Sequence, residues 1–116
     1  MTASVTLVLR SHESDIPPFE VPGVVPHEDC PLAVTQQIYF DRLKRHWFPW
    51  DPDDGYKITH RATGFNLGEK DRWFSVDEAM AVLMRCDPDF PGWHLAGTNE
   101  AAKAACHLKF KWATEG

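Results

Sequence analysis

The amino-acid sequence predicts an α+β fold, a small antiparallel sheet packed against about three helices that form a single layer on one face. Three observations predict it. Apolar residues alternate with period two near the N-terminus and again from Tyr56. A capping box stands at Ser75-Val76-Asp77-Glu78. Helix-spaced apolar residues flank that central region on both sides. The chain has 116 residues, 43% of them hydrophobic. A chain of that length buries roughly 65% of its unfolded surface, so one domain spanning 1–116 closes a core without a metal or disulfide staple.

Residues 4–10 read as a strand, with Val5, Leu7 and Leu9 alternating with Thr6, Val8 and Arg10. Residues 11–31 change character. Five of the nine prolines lie here, and each removes a backbone donor and disfavours helix at the residue before it. This is an acidic, proline-rich, extended segment. Its apolar residues Ile16, Phe19, Val21, Val24 and Val25 either pack along their own domain or face a partner.

Residues 31–47 are expected to be helical. Leu32, Gln36, Tyr39, Leu43 and Trp47 follow helical spacing, and Pro31 suits a first turn. Phe48-Pro49-Trp50-Asp51-Pro52 stops the pattern. From Tyr56 to Phe74 the period is two, broken by turn signals at Gly64 and Gly68. The capping box then opens a helix over 75–86, with Ala79, Met80 and Leu83 inward. Trp93 to Ala96 read as a short strand. Thr98 or Asn99 caps a last helix over 99–112, with Ala101, Ala105, Leu108 and Trp112 on its inner stripe.

The net charge of −5 has a location. Residues 11–40 hold Glu13, Asp15, Glu20, Glu28 and Asp29 and no Lys or Arg, and the remaining twelve acidic and twelve basic residues balance. That balance disfavours nonspecific attraction to nucleic acid and suits a basic protein surface. Three cysteines without CxxC spacing, and no signal-peptide pattern, lead to an expectation of free thiols in the cytoplasm. The run Val5–Leu9 is too short to cross a bilayer.

Chemical motifs are scarce. Neither aspartate-rich loop, 51–55 or 87–98, fits an EF-hand. His27, Cys30, Cys106 and His107 are the only set that suggests zinc, but adjacent Cys106 and His107 diverge by about 100° on a helix. Phosphate-binding glycine loops and a serine elbow are absent. No cofactor and no metal are expected. A small enzyme, pairing Cys86 with His60 or His94, ranks third among the functional readings.

From Tyr56 to Arg85, strand, turn, strand and capped helix resemble the three-stranded-sheet-plus-helix modules of phage integrase arms. The resemblance is confined to that stretch, and its junction, aromatic-Ser-x-x-Glu-Ala, is generic. It implies a sheet that enters the major groove, with Lys57, Arg61, Lys70 and Arg72 as its basic face. This nucleic-acid module is the second reading.

The first reading is a protein-binding or inhibitory protein whose partner has a basic surface. Its site combines the acidic segment, with Glu13, Asp15, Phe19, Glu20, Glu28 and Asp29, and the aromatic loop of Trp47, Phe48 and Trp50. In size and acidity the chain is similar to phage and mobile-element products that block host machinery, anti-CRISPR proteins among them.

Overall fold

A computed structural model describes residues 2–10, 16–41, 43–49, 55–68 and 72–115. Strand β1 (Ala3–Leu9) pairs antiparallel with β2 (Phe19–Val25), with Leu7 opposite Val21 and Leu9 opposite Phe19. The sheet continues through β3 (Leu32–Gln36), β6 (Tyr56–His60) and β7 (Asn66–Leu67), in the order β1-β2-β3-β6-β7. Between β3 and β6 the chain makes a separate hairpin, β4 (Ile38–Asp41) with β5 (His46–Pro49). Helices α1 (Val76–Arg85), α2 (Gly92–Leu95) and α3 (Glu100–Glu115) follow the strands. The α+β class is as the sequence predicts.

The pairing register divides the sheet into two faces. Leu7, Leu9, Val21, Val25, Ala33, Thr35 and Thr59 share one face, and all are buried. Leu32, Val34, Ile58 and His60 share the other, where α1 lies against β3 and β6. The outer positions of β1 and β2 on that second face, among them Thr6, Glu20 and Pro22, are exposed. The sheet curls enough for the Arg10 amide at the end of β1 to donate to the Gly64 carbonyl beyond β6, at 2.8 Å. Gly64 has φ +75°, and a Cβ there would collide with the Val8 carbonyl.

The proline-rich segment therefore supplies an internal strand. Val21 and Val25 point into the core, and the β2–β3 ladder covers only Gly23 and Val24, stopping where Pro22 brings no donor.

The helix expected over 31–47 is replaced by β3, β4 and the start of β5. Two facts account for it. Leu32, Ala33, Val34 and Thr35 are all buried, because β3 is covered on both faces and so shows no period of two. The Asp41 carboxylate accepts the amides of Leu43 (2.9 Å) and Lys44 (3.0 Å), and Arg45 takes a positive φ, which turns the chain into a hairpin. The Lys44 amide is the main cause that lowers the Asp41 pKa.

Trp93 to Leu95 belong to the one-turn α2, with Ala96 at its C-cap, in place of a strand. The Trp93 indole N–H donates to the carbonyls of Cys86 and Asp87, both at 3.1 Å, which seals the ring beneath the α1–α2 connection.

The α1 cap forms as expected. Ser75 Oγ accepts the Glu78 amide at 3.1 Å, and Glu78 Oε2 accepts the amide of Phe74, one residue before the cap. Ala79 and Leu83 are buried and Met80 half-buried. Asn99 caps α3 by accepting the amides of Ala101 (2.9 Å) and Ala102 (3.2 Å).

The inner stripe of α3 differs from the expected one. Ala102, Cys106, Phe110 and Ala113 are buried, whereas Leu108 and Trp112 are 66% and 64% exposed. The stripe is rotated by one residue, about 100°. Small side chains at 102, 106 and 113 let the helix approach its neighbours, with Phe110 edge-on to Trp73 at 6.4 Å.

Candidate functional site

The sequence-predicted partner residues separate into two groups. Phe19, at the start of β2, stacks on Trp47 of β5 with ring centroids 6.1 Å apart. Trp47 also meets Phe40, its cross-strand partner, at 5.3 Å, and its indole N–H donates to the Pro17 carbonyl at 2.7 Å. Phe40 is buried, Trp47 half-buried and Phe19 38% exposed. The structure thus brings part of the acidic segment onto the aromatic hairpin, where Phe19, Trp47 and Phe40 form a small aromatic cluster of their own. Phe48 lies in β5. Glu13, Asp15 and Trp50 lie outside the described residues.

The described carboxylates do not gather. Glu20 is exposed on the strand face opposite Phe19, while Glu28 and Asp29 occupy the turn after β2. Phe19 and Val25, the two ends of β2, are about 20 Å apart. Arg61 fastens that turn by donating to the carbonyls of Glu28 (2.6 Å) and Cys30 (2.8 Å).

The basic strand face is occupied by structural bonds. Lys57 is 3% exposed and its ammonium donates to the Gly68 carbonyl at 2.6 Å. Arg61 holds the β2–β3 turn. Arg72 is exposed, and Lys70 lies outside the described residues.

Burial explains the thiols. Cys30, Cys86 and Cys106 are free and buried. Burial raises the pKa of each, and that of Cys86, whose Sγ lies 3.3 Å from the Val82 carbonyl, is pushed up to about 12. Protonated thiols are poor nucleophiles. His27 is exposed while Cys30 points into the core, and among the described residues no three His, Cys, Asp or Glu side chains gather as metal ligands.

His60 is also buried. Its Nε2 lies 2.6 Å from the Trp93 carbonyl, which can only accept, so Nε2 carries the proton. Nδ1 then accepts from the Thr63 hydroxyl at 2.9 Å. Burial lowers the His60 pKa, partly offset by the bond to Trp93. This arrangement forms the inner wall of a cavity of about 440 Å³ between α3 and the β6–β7 turn.

The surface that sequence reasoning missed is the outer side of α3. Leu108 and Trp112 stand exposed there beside a groove of about 430 Å³ whose other walls are Phe90, Ala105 and Lys109. Two cations lie over its rings. Arg85, from the last turn of α1, is 5.9 Å from the Trp112 ring centre, and Lys109 is 5.1 Å from that of Phe90. Lys109 also pairs with Asp87 at 3.4 Å. Met84, next to Arg85, is 51% exposed. A helix with apolar residues on two sides was the available signal.

Among the described residues no helix is long and apolar enough to cross a membrane. Comparison of the chain with protein-family models, with curated proteins and with solved structures finds no match.

Proposed function

We propose that this chain is a protein-binding protein that docks through the α3–α1 face and acts by occupying its partner. The observation that carries the reading is the pair Leu108 and Trp112, two large apolar side chains exposed together beside a groove. Tryptophan in such a setting supplies a large apolar area that association removes from water.

The rim suggests the chemistry of the partner. Arg85 and Lys109 favour a segment that places apolar side chains beside Trp112 and carboxylates over the cations. The chain's net charge of −5 opposes an acidic segment elsewhere, so these local cations fix where it sits. This reverses the partner charge expected from the acidic segment, whose described carboxylates are dispersed. A role in blocking host machinery, as phage and mobile-element inhibitors do, is compatible with this reading and draws support from size and acidity alone.

Affinity capture from a lysate of the native host, run in parallel with variants, tests the proposal. The wild type and Glu20→Gln should hold the same stoichiometric protein, and the double variant Leu108→Ala, Trp112→Ala should release it while keeping its thermal transition. Retention by the double variant overturns the proposal. So does co-purification of DNA or RNA in place of a protein, which would favour the strand-face alternative.

A further inference from the structure

The cavity on the opposite flank of α3 has a different character from the docking groove. At about 440 Å³ it lies within the usual range of small-ligand sites. Phe65, Leu67, Ala96 and Cys106 supply apolar side chains to its lining, beside Trp93. The polar groups on its inner wall are used internally. His60 is bonded through both ring nitrogens, and the Thr63 hydroxyl serves His60 and stands 3.4 Å from the Phe65 amide. Among the described residues no buried side-chain nitrogen or oxygen lacks a partner. A ligand entering this space therefore meets no open donor or acceptor on those side chains, and the part that enters has to be apolar.

The rim is of the opposite kind. Lys103 and His107 both line the cavity and stand four residues apart on α3, which sets them one above the other. Lys103 is held by Glu100 at 3.3 Å, but Glu100 is almost fully exposed, so water competes for that pair and an incoming anion can replace it at little cost.

From the apolar interior and the rim that carries the Lys103 ammonium and the His107 ring we infer that this cavity binds a small apolar carboxylate, with its ring or chain against Phe65, Leu67 and Ala96 and its carboxylate at Lys103, beside the His107 imidazole. The site is separate from the Trp112 groove and does not depend on it.

Titration of the ¹⁵N-labelled full chain with indole-3-acetate, and separately with tryptamine, tests the inference. The two probes share a ring and carry opposite charge. Indole-3-acetate should shift the amide resonances of Thr63, Gly97, Lys103 and His107 in a saturable way, and tryptamine should not. Lys103→Gln should weaken the carboxylate by about threefold to fivefold. Trp112→Ala should leave its affinity unchanged. Gly97→Leu, which adds bulk 3.3 Å from the Thr63 methyl, should abolish binding if it folds, and the exposed Lys103 variant carries the test if it does not. Absence of saturable shifts at those amides overturns the inference, as does equal binding of tryptamine or an affinity unmoved by Lys103→Gln.

Discussion

At the β4–β5 corner Trp47 lies against Phe19 and Phe40 and gives its indole N–H to Pro17. On α3 Trp112 has the Arg85 guanidinium near its ring and is 64% exposed. Both are tryptophans with a phenylalanine and a basic residue within two positions in sequence. The first has its polar group satisfied and its ring flanked by aromatics, so most of its apolar area has already left water. The second keeps most of that area for an encounter. Residue type therefore identifies candidate anchors, while local geometry separates a ring plugged in among its own neighbours from an open surface. Trp93, fully buried with its N–H shared between two carbonyls, marks the closed extreme.

The comparison breaks most readily through stability. Trp47→Ala should cost about 2 kcal/mol, below the full core value because the ring is half-buried. Trp112→Ala should change stability by no more than about 0.5 kcal/mol. Denaturant unfolding of the two variants measures both, and equal losses would erase the distinction between plug and surface.

A smaller effect marks the closed extreme. The unfolded chain takes a proton on His60 near the ordinary value of 6.5, and the folded chain only at lower pH, because burial lowers the pKa. The unfolded state thus binds more protons between those two values. Stability should be greatest above pH 6.5 and decline as pH falls from 6.5 through the folded value. Thermal melts of wild type and His60→Gln across that range should show the decline in the wild type and a reduced slope in the variant. Parallel slopes would place the titration elsewhere.

What was legible in the sequence was local. The Ser75 cap, the β6–β7 alternation and the start of α3 each follow from a few neighbouring residues, and each formed. The segment 31–47 misled because a strand buried on both faces has no period of two, and because Leu32, Gln36, Tyr39, Leu43 and Trp47 mimic helical spacing across a hairpin. The Asp41 turn that breaks the pattern acts through one carboxylate and two amides, a signal weaker than the apolar run around it. On α3 the start was legible, the end runs three residues past the expected 112, and the orientation was not legible. Ranking by side-chain size puts Leu108 and Trp112 inside, whereas close approach favours Ala102, Cys106 and Ala113. Of the residues expected to meet a partner, Phe19 and Trp47 lie against each other, but the scatter of Glu20, Glu28 and Asp29 follows from strand geometry that composition does not encode.

The most direct test of the account is a selection of random peptides on the immobilised full chain, with each enriched peptide re-measured on the double variant Leu108→Ala, Trp112→Ala and on Glu20→Gln. The account predicts peptides that combine large apolar residues with Asp or Glu, that lose binding on the double variant and that keep it on Glu20→Gln. Enrichment of basic peptides that bind the double variant as well as the wild type would contradict it.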